Sequence, residues 1–474
     1  PYNTGNKDFI YDDDYVNSDD LYIHSKWLSF MNERLKIART LLSDNGLCFI
    51  SIDDHEQANL KLLCDSIFSE YCFVGMISVE TSNGIFGLKA KHANKTIVKS
   101  KDYVLVYCVS PDKVSFTPLY SQSKRNFDTH FTYFKDGDFE CSLNEWLSRN
   151  EMLNEKARCI GVQNNVSNLD MLMSMFPEVN DYILENADKI YRIRDYTLKI
   201  DEAYIDDLNN GKKVIINGNY VFKNNDGVLL YLYPFSQLVN TTDDYIQKKC
   251  SSVIVGDLWK GFNEDMGNVG KEGGITFSNG KKPVRLIKNI LKTSNKKNAV
   301  VLDFFAGSGT TAQAVLEQNI SDGGKRKFIL CTNNEGNICE ERTYPRIKNV
   351  ISGYGSYDGI PANLKYYKTD FIDKTSEDEE YSVGEELLGH IVEMVQLEYA
   401  VRLDGKNYVL LLSDKEADTF IADDEKLSAC SAVYVSTAVL LTAEQGKKLS
   451  ELGISVFVIP DYYFESELLE VGER

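Results

Sequence analysis

The run Val300-Val301-Leu302-Asp303-Phe304-Phe305-Ala306-Gly307-Ser308-Gly309-Thr310-Thr311 constrains the fold of this chain more than any other stretch. An apolar strand that enters a Gly-x-Gly turn and leaves as a helix is how a doubly wound sheet offers backbone N–H groups and a helix N-terminus to a nucleotide-like ligand. The pattern predicts a strand over Ala299 to Leu302, buried on both faces, then a tight turn at Gly307 and Gly309 and a helix over Thr310 to Gln318. A dinucleotide fingerprint would place a third glycine where Ala312 stands.

The flanks extend the unit. Phe277 to Ile287 opens a helix with Pro283 near its start, and Lys327 to Glu335 reads as a second strand whose polar end suits a ribose. Asn334 and Glu335 compete for that role; a carboxylate accepts from both hydroxyls, which favours Glu335. Asp303 stands where a carboxylate often caps the N–H groups of the turn that follows it.

Periodicity and breakers order the remainder. Tyr22 to Leu42 is an amphipathic helix stopped by Ser43-Asp44-Asn45-Gly46, followed by a strand at Leu47 to Ile52, a helix at Glu56 to Phe68 and a strand at Tyr103 to Cys108. Residues from about 115 to 255 break the alternation and are rich in Tyr, Asn and Asp. Beyond the acidic linker Ser376-Glu377-Asp378-Glu379-Glu380, a helix at Glu385 to Tyr399, strands near Tyr408 to Leu412, Ala432 to Val435 and Ile454 to Ile459, and a helix at Ala443 to Leu452 make a small α/β domain.

Three segments in a distinctive order resemble the S-adenosylmethionine-dependent DNA amino-methyltransferases. Pro1-Tyr2-Asn3-Thr4-Gly5-Asn6 looks like the second half of the Asp-Pro-Pro-Tyr catalytic motif with the Asn-Thr-Gly that accompanies it in adenine-N6 enzymes. An insert follows, then Lys282-Pro283 and Asp303-Phe304-Phe305-Ala306-Gly307-Ser308-Gly309, which is the permuted order of the beta class. Within that class the chain resembles most the modification subunit of type III restriction-modification systems, through Gly5 to Phe9, Cys48 to Asp54, Lys101 to Tyr107, Asn333-Asn334-Glu335 and Arg342 to Ile347.

The resemblance implies an α/β fold: a doubly wound, Rossmann-like methyltransferase sheet with an inserted target-recognition domain and a small α/β C-terminal domain. The implied boundaries are 1–114 for the catalytic half, 115–258 for the insert, 259–370 for the cofactor-binding half and 371–474 for the acidic tail. Pro1 and Tyr2 are then catalytic, with Tyr2 stacking on a target base rotated out of the duplex. S-adenosylmethionine is expected against Phe305, Ala306, Gly307, Ser308, Gly309 and Thr310, with Asp303 near its methionine part as well as capping the turn. Lys282-Pro283 is either part of that site or a plain helix start, and Phe277 packs on the adenine or in the core. The family motif begins one Asp-Pro earlier, which implies an N-terminally truncated chain lacking the preceding strand and of little activity alone.

Charge bears on partners. The formal charge of −19 argues against contact with phosphates, but residues 371–474 hold 23 Asp/Glu against 8 Lys/Arg and account for most of it. Two runs stand out as basic: Lys89, Lys91, Lys95, Lys99 and Lys101, and Lys281, Lys282, Arg285, Lys288, Lys292, Lys296 and Lys297. Each is a DNA contact or a solvated face, and the first, after the loop Ser82 to Gly87, is the better DNA candidate through Lys89 and Lys91. In the insert, Arg192 and Arg194 would share one face of a strand and reach guanine or phosphate, unless they pair with neighbouring acids.

Double-stranded DNA with a flipped base is thus the expected substrate. The acidic tail suits a protein interface, either a homodimer or a restriction subunit carrying a helicase-nuclease. With 43% hydrophobic residues the chain can bury two or three cores. The ten cysteines and five histidines show no metal-ligand spacing, and no apolar run reaches membrane-spanning length, so a cytoplasmic protein with reduced thiols and no metal is expected. The alternatives are a cytosine-N4 methyltransferase and a non-catalytic recognition and assembly module.

Overall fold

Apolar residues at helical spacing wind the first element, α1 (Ile23–Leu41), whose buried face is Trp27, Met31, Leu35 and Ala38. A turn closed by Gly46 N–H on Ser43 O at 2.6 Å leads into β1 (Leu47–Ile52), then α2 (Gln57–Phe68), β2 (Phe73–Glu80) and β3 (Lys101–Cys108). α1 and α2 cover β1 and β3 through Trp27, Leu35, Leu60, Phe68, Leu105 and Tyr107. The computed structural model describes residues 2–3, 22–82, 97–266, 269–277, 281–369, 389–436 and 439–459.

The insert builds two antiparallel sheets. Its elements are β4 (Tyr120–Gln122), β5 (Tyr133–Asp136), β6 (Phe139–Ser142), α3 (Leu143–Ser148), α4 (Glu151–Cys159), α5 (Val166–Met175), α6 (Pro177–Glu185) and β7 (Ile190–Asp195). They continue with α7 (Ile205–Asn209), β8 (Val214–Ile216), β9 (Asn219–Lys223), β10 (Leu229–Pro234), β11 (Val239–Thr241) and β12 (Lys249–Ile254). The larger sheet runs β6-β5-β7-β10-β9-β8 and the smaller β11-β12-β4. Asn217 and Gly218, both at positive φ, make the tight β8–β9 hairpin. Side chains of Ser142, Asn150 and Asn165 cap α3, α4 and α5. Phe127, Phe131, Phe134, Leu147, Leu169, Ile183 and Phe235 fill the core between these helices and the sheet.

The chain then returns to the first sheet. β13 (Leu258–Trp259) pairs parallel with β2, giving the order β1-β3-β2-β13. α8 (Phe262–Met266) and α9 (Val284–Thr293) precede β14 (Val300–Asp303), α10 (Thr310–Asp322), β15 (Lys327–Leu330) and α11 (Tyr344–Ser352). β14 and β15 pair parallel across α10, a βαβ unit. Val284, Leu291, Ala314 and Val315 of α9 and α10 pack on Val301 and Phe328. The expected burial of this strand on both faces is corrected here. Val300, Leu302 and Ile329 are 62%, 37% and 52% exposed, because α9 and α10 cover only the face carrying Val301 and Phe328.

The chain divides into two units, Pro1–Leu364 and Lys365–Arg474. In the second, α12 (Ile391–Glu398), β16 (Tyr408–Leu411), α13 (Asp414–Ile421), α14 (Asp424–Ser428), β17 (Ala432–Val435), α15 (Ala443–Glu451) and β18 (Ser455–Val458) build a parallel sheet of order β16-β17-β18. All four residues of β17 are buried, with Val433 and Val435 in one core and Ala432 and Tyr434 in the other. The architecture is mixed α/β throughout. Among the described residues no helix is long and apolar enough to cross a membrane.

Candidate functional site

β14 ends at Asp303, and the chain turns through Gly307 and Gly309, at φ 50° and 75°, into α10. Asp303 Oδ1 accepts from Phe305 N–H at 3.1 Å and Oδ2 from the Thr311 hydroxyl at 2.5 Å, so the carboxylate spans the turn. The backbone locks it to the neighbouring strand end: Cys331 N–H donates to Asp303 O at 2.9 Å and Ala306 N–H to Cys331 O at 3.1 Å. Burial lifts the Asp303 carboxyl above its ordinary value, opposed by the bonds from Thr311 and Phe305. Ala306, Ser308 and Thr310 are buried, while Phe305 is half-open and lies 6.1 Å from Phe30 of α1.

Lys282 connects this turn with Tyr2. Its carbonyl accepts from the Thr310 hydroxyl at 3.3 Å, its ammonium lies 4.5 Å from the Tyr2 ring centroid, and it donates to Asp102 Oδ2 at 2.9 Å. Burial alone would lower the Lys282 ammonium; Tyr2 and Asp102 outweigh it and raise it above its ordinary value. Burial also raises the Tyr2 hydroxyl. Beyond Asp102, Lys99 reaches Asp102 at 3.5 Å and Asp53 at 2.8 Å. For Asp53, burial is overcome by Lys99 and His55, which hold its carboxyl below the usual range. Asn3, at φ 58°, is buried and donates to Glu56 Oε1 at 2.7 Å; Glu56 also takes His24 and Asn59.

The structure places the other expected residues as follows. Pro283 stands just before α9 as a helix start. Phe277 is buried, at 2% exposure. Asn334, at φ 56°, turns its Oδ1 inward to the N–H groups of Cys339 and Glu340 at 2.9 and 3.4 Å, and Glu335 is exposed with Asn333 at 3.2 Å. Arg192 and Arg194 lie on β7 and share one face over the Tyr233 ring, at 4.9 and 5.3 Å; Arg192 also stands 3.5 Å from Asp128. Pro1, Lys89 and Lys91 lie outside the described residues, as do most of the loop before Lys89 and the acidic linker.

The second basic run proves to be largely paired. Lys281 is 4% exposed, and Lys282, Arg285, Lys288 and Lys292 meet Asp102, Asp265, Glu317 and Asp243 at 2.9, 2.5, 3.3 and 2.5 Å. From Lys281 to Lys292 it is neither a solvated face nor a free phosphate contact; Lys296 and Lys297 have no carboxylate within 4 Å among the described residues, and Lys297 is exposed. Residues to which sequence reasoning gave no role include Asp53, Asp102 and Glu56 around Tyr2 and Asn3, and Arg346 behind the turn. Asp53 and Asp102 do carry a signal, since each is an acid at the end of an otherwise apolar strand.

The fit of S-adenosylmethionine rests on this rim. A Cβ at Gly307 would meet only Phe305 O at 3.7 Å, so that side of the turn is open. Around it stand an acceptor, Asp303, and the half-open ring of Phe305, with Glu335 just beyond the end of the adjacent strand. An amino group, a heteroaromatic ring and vicinal hydroxyls find matching chemistry there.

Comparison with known proteins bears on the chain as a whole. A family model described as DNA methylase matches residues 1–341. The chain is 29% identical over 381 residues to the probable type III restriction-modification enzyme HindVI Mod subunit of Haemophilus influenzae, covering 74% of this chain and 47% of that protein. It is 30% identical over 393 residues to the type III restriction-modification enzyme EcoPI Mod subunit of Escherichia phage P1, covering 75% and 55%. With the type II methyltransferase M.KpnI of Klebsiella pneumoniae it shares 28% over 390 residues, 78% of this chain and 84% of that one. The chain thus spans about half the length of the two Mod subunits. With 341 residues matched by one model, the chain belongs to the DNA methylase family.

Proposed function

We propose that this protein is a site-specific DNA adenine-N6 methyltransferase using S-adenosylmethionine, the modification subunit of a restriction-modification system. The observation that carries the reading is Lys282, whose carbonyl holds Thr310 of the Gly-rich turn while its side chain lies against Tyr2. A cofactor turn and a base-stacking aromatic are thereby joined through one residue. The β14-α10-β15 unit supports a doubly wound sheet around them. The Asn3-Thr4-Gly5 that follows Tyr2 supports adenine over cytosine.

S-adenosylmethionine supplies a methyl group made electrophilic by its sulfonium. An exocyclic amine conjugated with its ring is a weak nucleophile, so the chain's contribution is position and electrostatics. Tyr2 stacks on the flipped base, and Lys282, held by Asp102, fixes the ring. Asp303 would hold the amino group of the cofactor, the turn from Phe305 to Thr310 would surround it, and Glu335 would take the ribose. The insert, 115–258, reads the DNA with Arg192 and Arg194, and Lys89 and Lys91 hold phosphates. The acidic tail meets a second copy or a helicase-nuclease restriction subunit, in the cytoplasm.

The test is transfer of labelled methyl by the full-length protein to mixed-sequence duplex DNA, digested to nucleosides, alongside calorimetric titration with S-adenosylmethionine. Label in N6-methyladenine is expected; label in N4-methylcytosine would correct the base. Cofactor binding that survives Gly307→Arg unchanged would overturn the assignment of the turn.

A further inference from the structure

Among the described residues Arg346 of α11 is the largest charged side chain wholly sealed from solvent, at 0% exposure, and its guanidinium grips the turn from behind. Nη1 donates to the Ser308 hydroxyl at 3.1 Å and the Thr310 hydroxyl at 2.7 Å and approaches Ser308 O at 3.3 Å; Nε donates to Gln313 Oε1 at 2.8 Å. These contacts bracket Gly309, where α10 begins with no side-chain cap.

A cation beside the N-terminus of a helix is in the unfavourable place for the helix dipole, and burial adds to the cost. The compensation is Glu272, 3.6 Å from Nη2, which is also the partner of the buried Lys281 at 3.4 Å. Lys281 donates in turn to Val269 O and Glu272 O at 2.5 and 3.0 Å. Gly273 makes room: at φ 73°, a Cβ there would lie 2.4 Å from Arg346 Cγ. Segments 269–274 and 308–313 are therefore tied directly to one guanidinium, and 281–284 joins them through Glu272, which takes Lys281 and the Val284 N–H. Two of the three are the segments that carry Lys282 and the Gly-rich turn.

We propose that Arg346 is the positioning residue of the cofactor turn, fixing the orientation of Ser308 and Thr310 with Glu272 and Lys281 as its counter-charge and brace. This rests on the reading of the Asp303 to Thr311 turn as the S-adenosylmethionine site. The planar fork is what the arrangement requires, since one ammonium cannot reach Ser308, Thr310 and Gln313 together.

Calorimetric titration of S-adenosylmethionine into wild type, Arg346→Lys and Gln313→Leu tests it, with Leu169→Ala, in the core of the insert, as a control that destabilises without touching the turn. Losing one or two charge-assisted hydrogen bonds should raise the Kd of Arg346→Lys by about 10- to 100-fold, and that of Gln313→Leu by several-fold. Leu169→Ala should melt earlier and bind as wild type does. A folded Arg346→Lys with unchanged Kd overturns the proposal, and if that variant does not fold, an unchanged Gln313→Leu does so. An equal loss of affinity in Leu169→Ala also overturns it, by reducing the effect to general stability. Wild type that binds no cofactor removes the underlying reading, and the proposal with it.

Discussion

An alanine at Gly309 meets two costs, and an alanine at Gly307 meets only one. Both positions are left-handed, at φ 75° and 50°, which costs a residue with a Cβ roughly 1–2 kcal/mol. At Gly309 the new Cβ would also lie 3.0 Å from Thr343 Cγ2 and 3.4 Å from Thr343 O. Thr343 is poorly placed to yield, because it is 3% exposed and its hydroxyl lies 2.6 Å from Gly307 O and 3.2 Å from Ile338 O. Overpacking of this kind adds about 1–3 kcal/mol, for a total of about 2–5 kcal/mol. At Gly307 the nearest atom is Phe305 O at 3.7 Å, an ordinary contact, so only the conformational cost remains. Urea unfolding followed by the fluorescence of the buried Trp27 and Trp259 reports the difference as a shift in midpoint. Thr343→Ser removes the offending methyl and keeps the hydroxyl, so the Gly309→Ala and Thr343→Ser pair should couple by about 1 kcal/mol. Equal losses at the two glycines, or additivity within about 0.5 kcal/mol in that double-mutant cycle, would refute the reasoning.

Arg285→Met should cost about 3–5 kcal/mol, since it strands Asp265, 7% exposed and 2.5 Å from Arg285 Nη2, and also breaks bonds to Gly261 O and Asp243 O at 2.9 and 3.1 Å; adding Asp265→Leu should restore part of it in the same urea titration. Asp322 is held down to about 2 because Arg326 and Gln318 overcome the opposing effect of burial. A folded value below the unfolded one means that this stabilisation is complete above about pH 4 and lost as pH falls toward 2, so Asp322→Asn should cost about 1–2 kcal/mol at pH 7 and almost nothing near pH 2. A deficit independent of pH would contradict that. Arg194→Gln should weaken duplex binding and shallow its dependence on salt by about one counterion, measured by fluorescence anisotropy across a salt series; an unchanged slope would show that Arg194 touches no phosphate.

Local order was legible where periodicity and breakers coincide. The expected tail strands Tyr408 to Leu412, Ala432 to Val435 and Ile454 to Ile459 are found at Tyr408–Leu411, Ala432–Val435 and Ser455–Val458. The order of the insert was not, because Phe134 pairs with Ile190 across four intervening helices, a contact that no local pattern announces. The burial of β14 was overstated for a related reason: an apolar run records what a strand could bury, not which neighbour arrives to cover it.

Charge shows the same limit most sharply. Lys281 to Lys297 reads as a basic face, yet its cations from Lys281 to Lys292 find Asp102, Asp243, Asp265, Glu272 and Glu317, all but Asp265 and Glu272 at least 29 residues from their partners. A cation already neutralised by a carboxylate 2.5 to 3.4 Å away releases no counterion when DNA approaches, so the stretch from Lys281 to Lys292 adds little to phosphate affinity. Lys99 is likewise engaged by Asp53 and Asp102. Arg194, exposed on β7 beside the Tyr233 ring, has no ion-pair partner within 4 Å among the described residues. On the proposed function, attraction to DNA depends on which cations the fold leaves unpaired, and Arg194 is a more informative place to measure it than the longer and more conspicuous basic run.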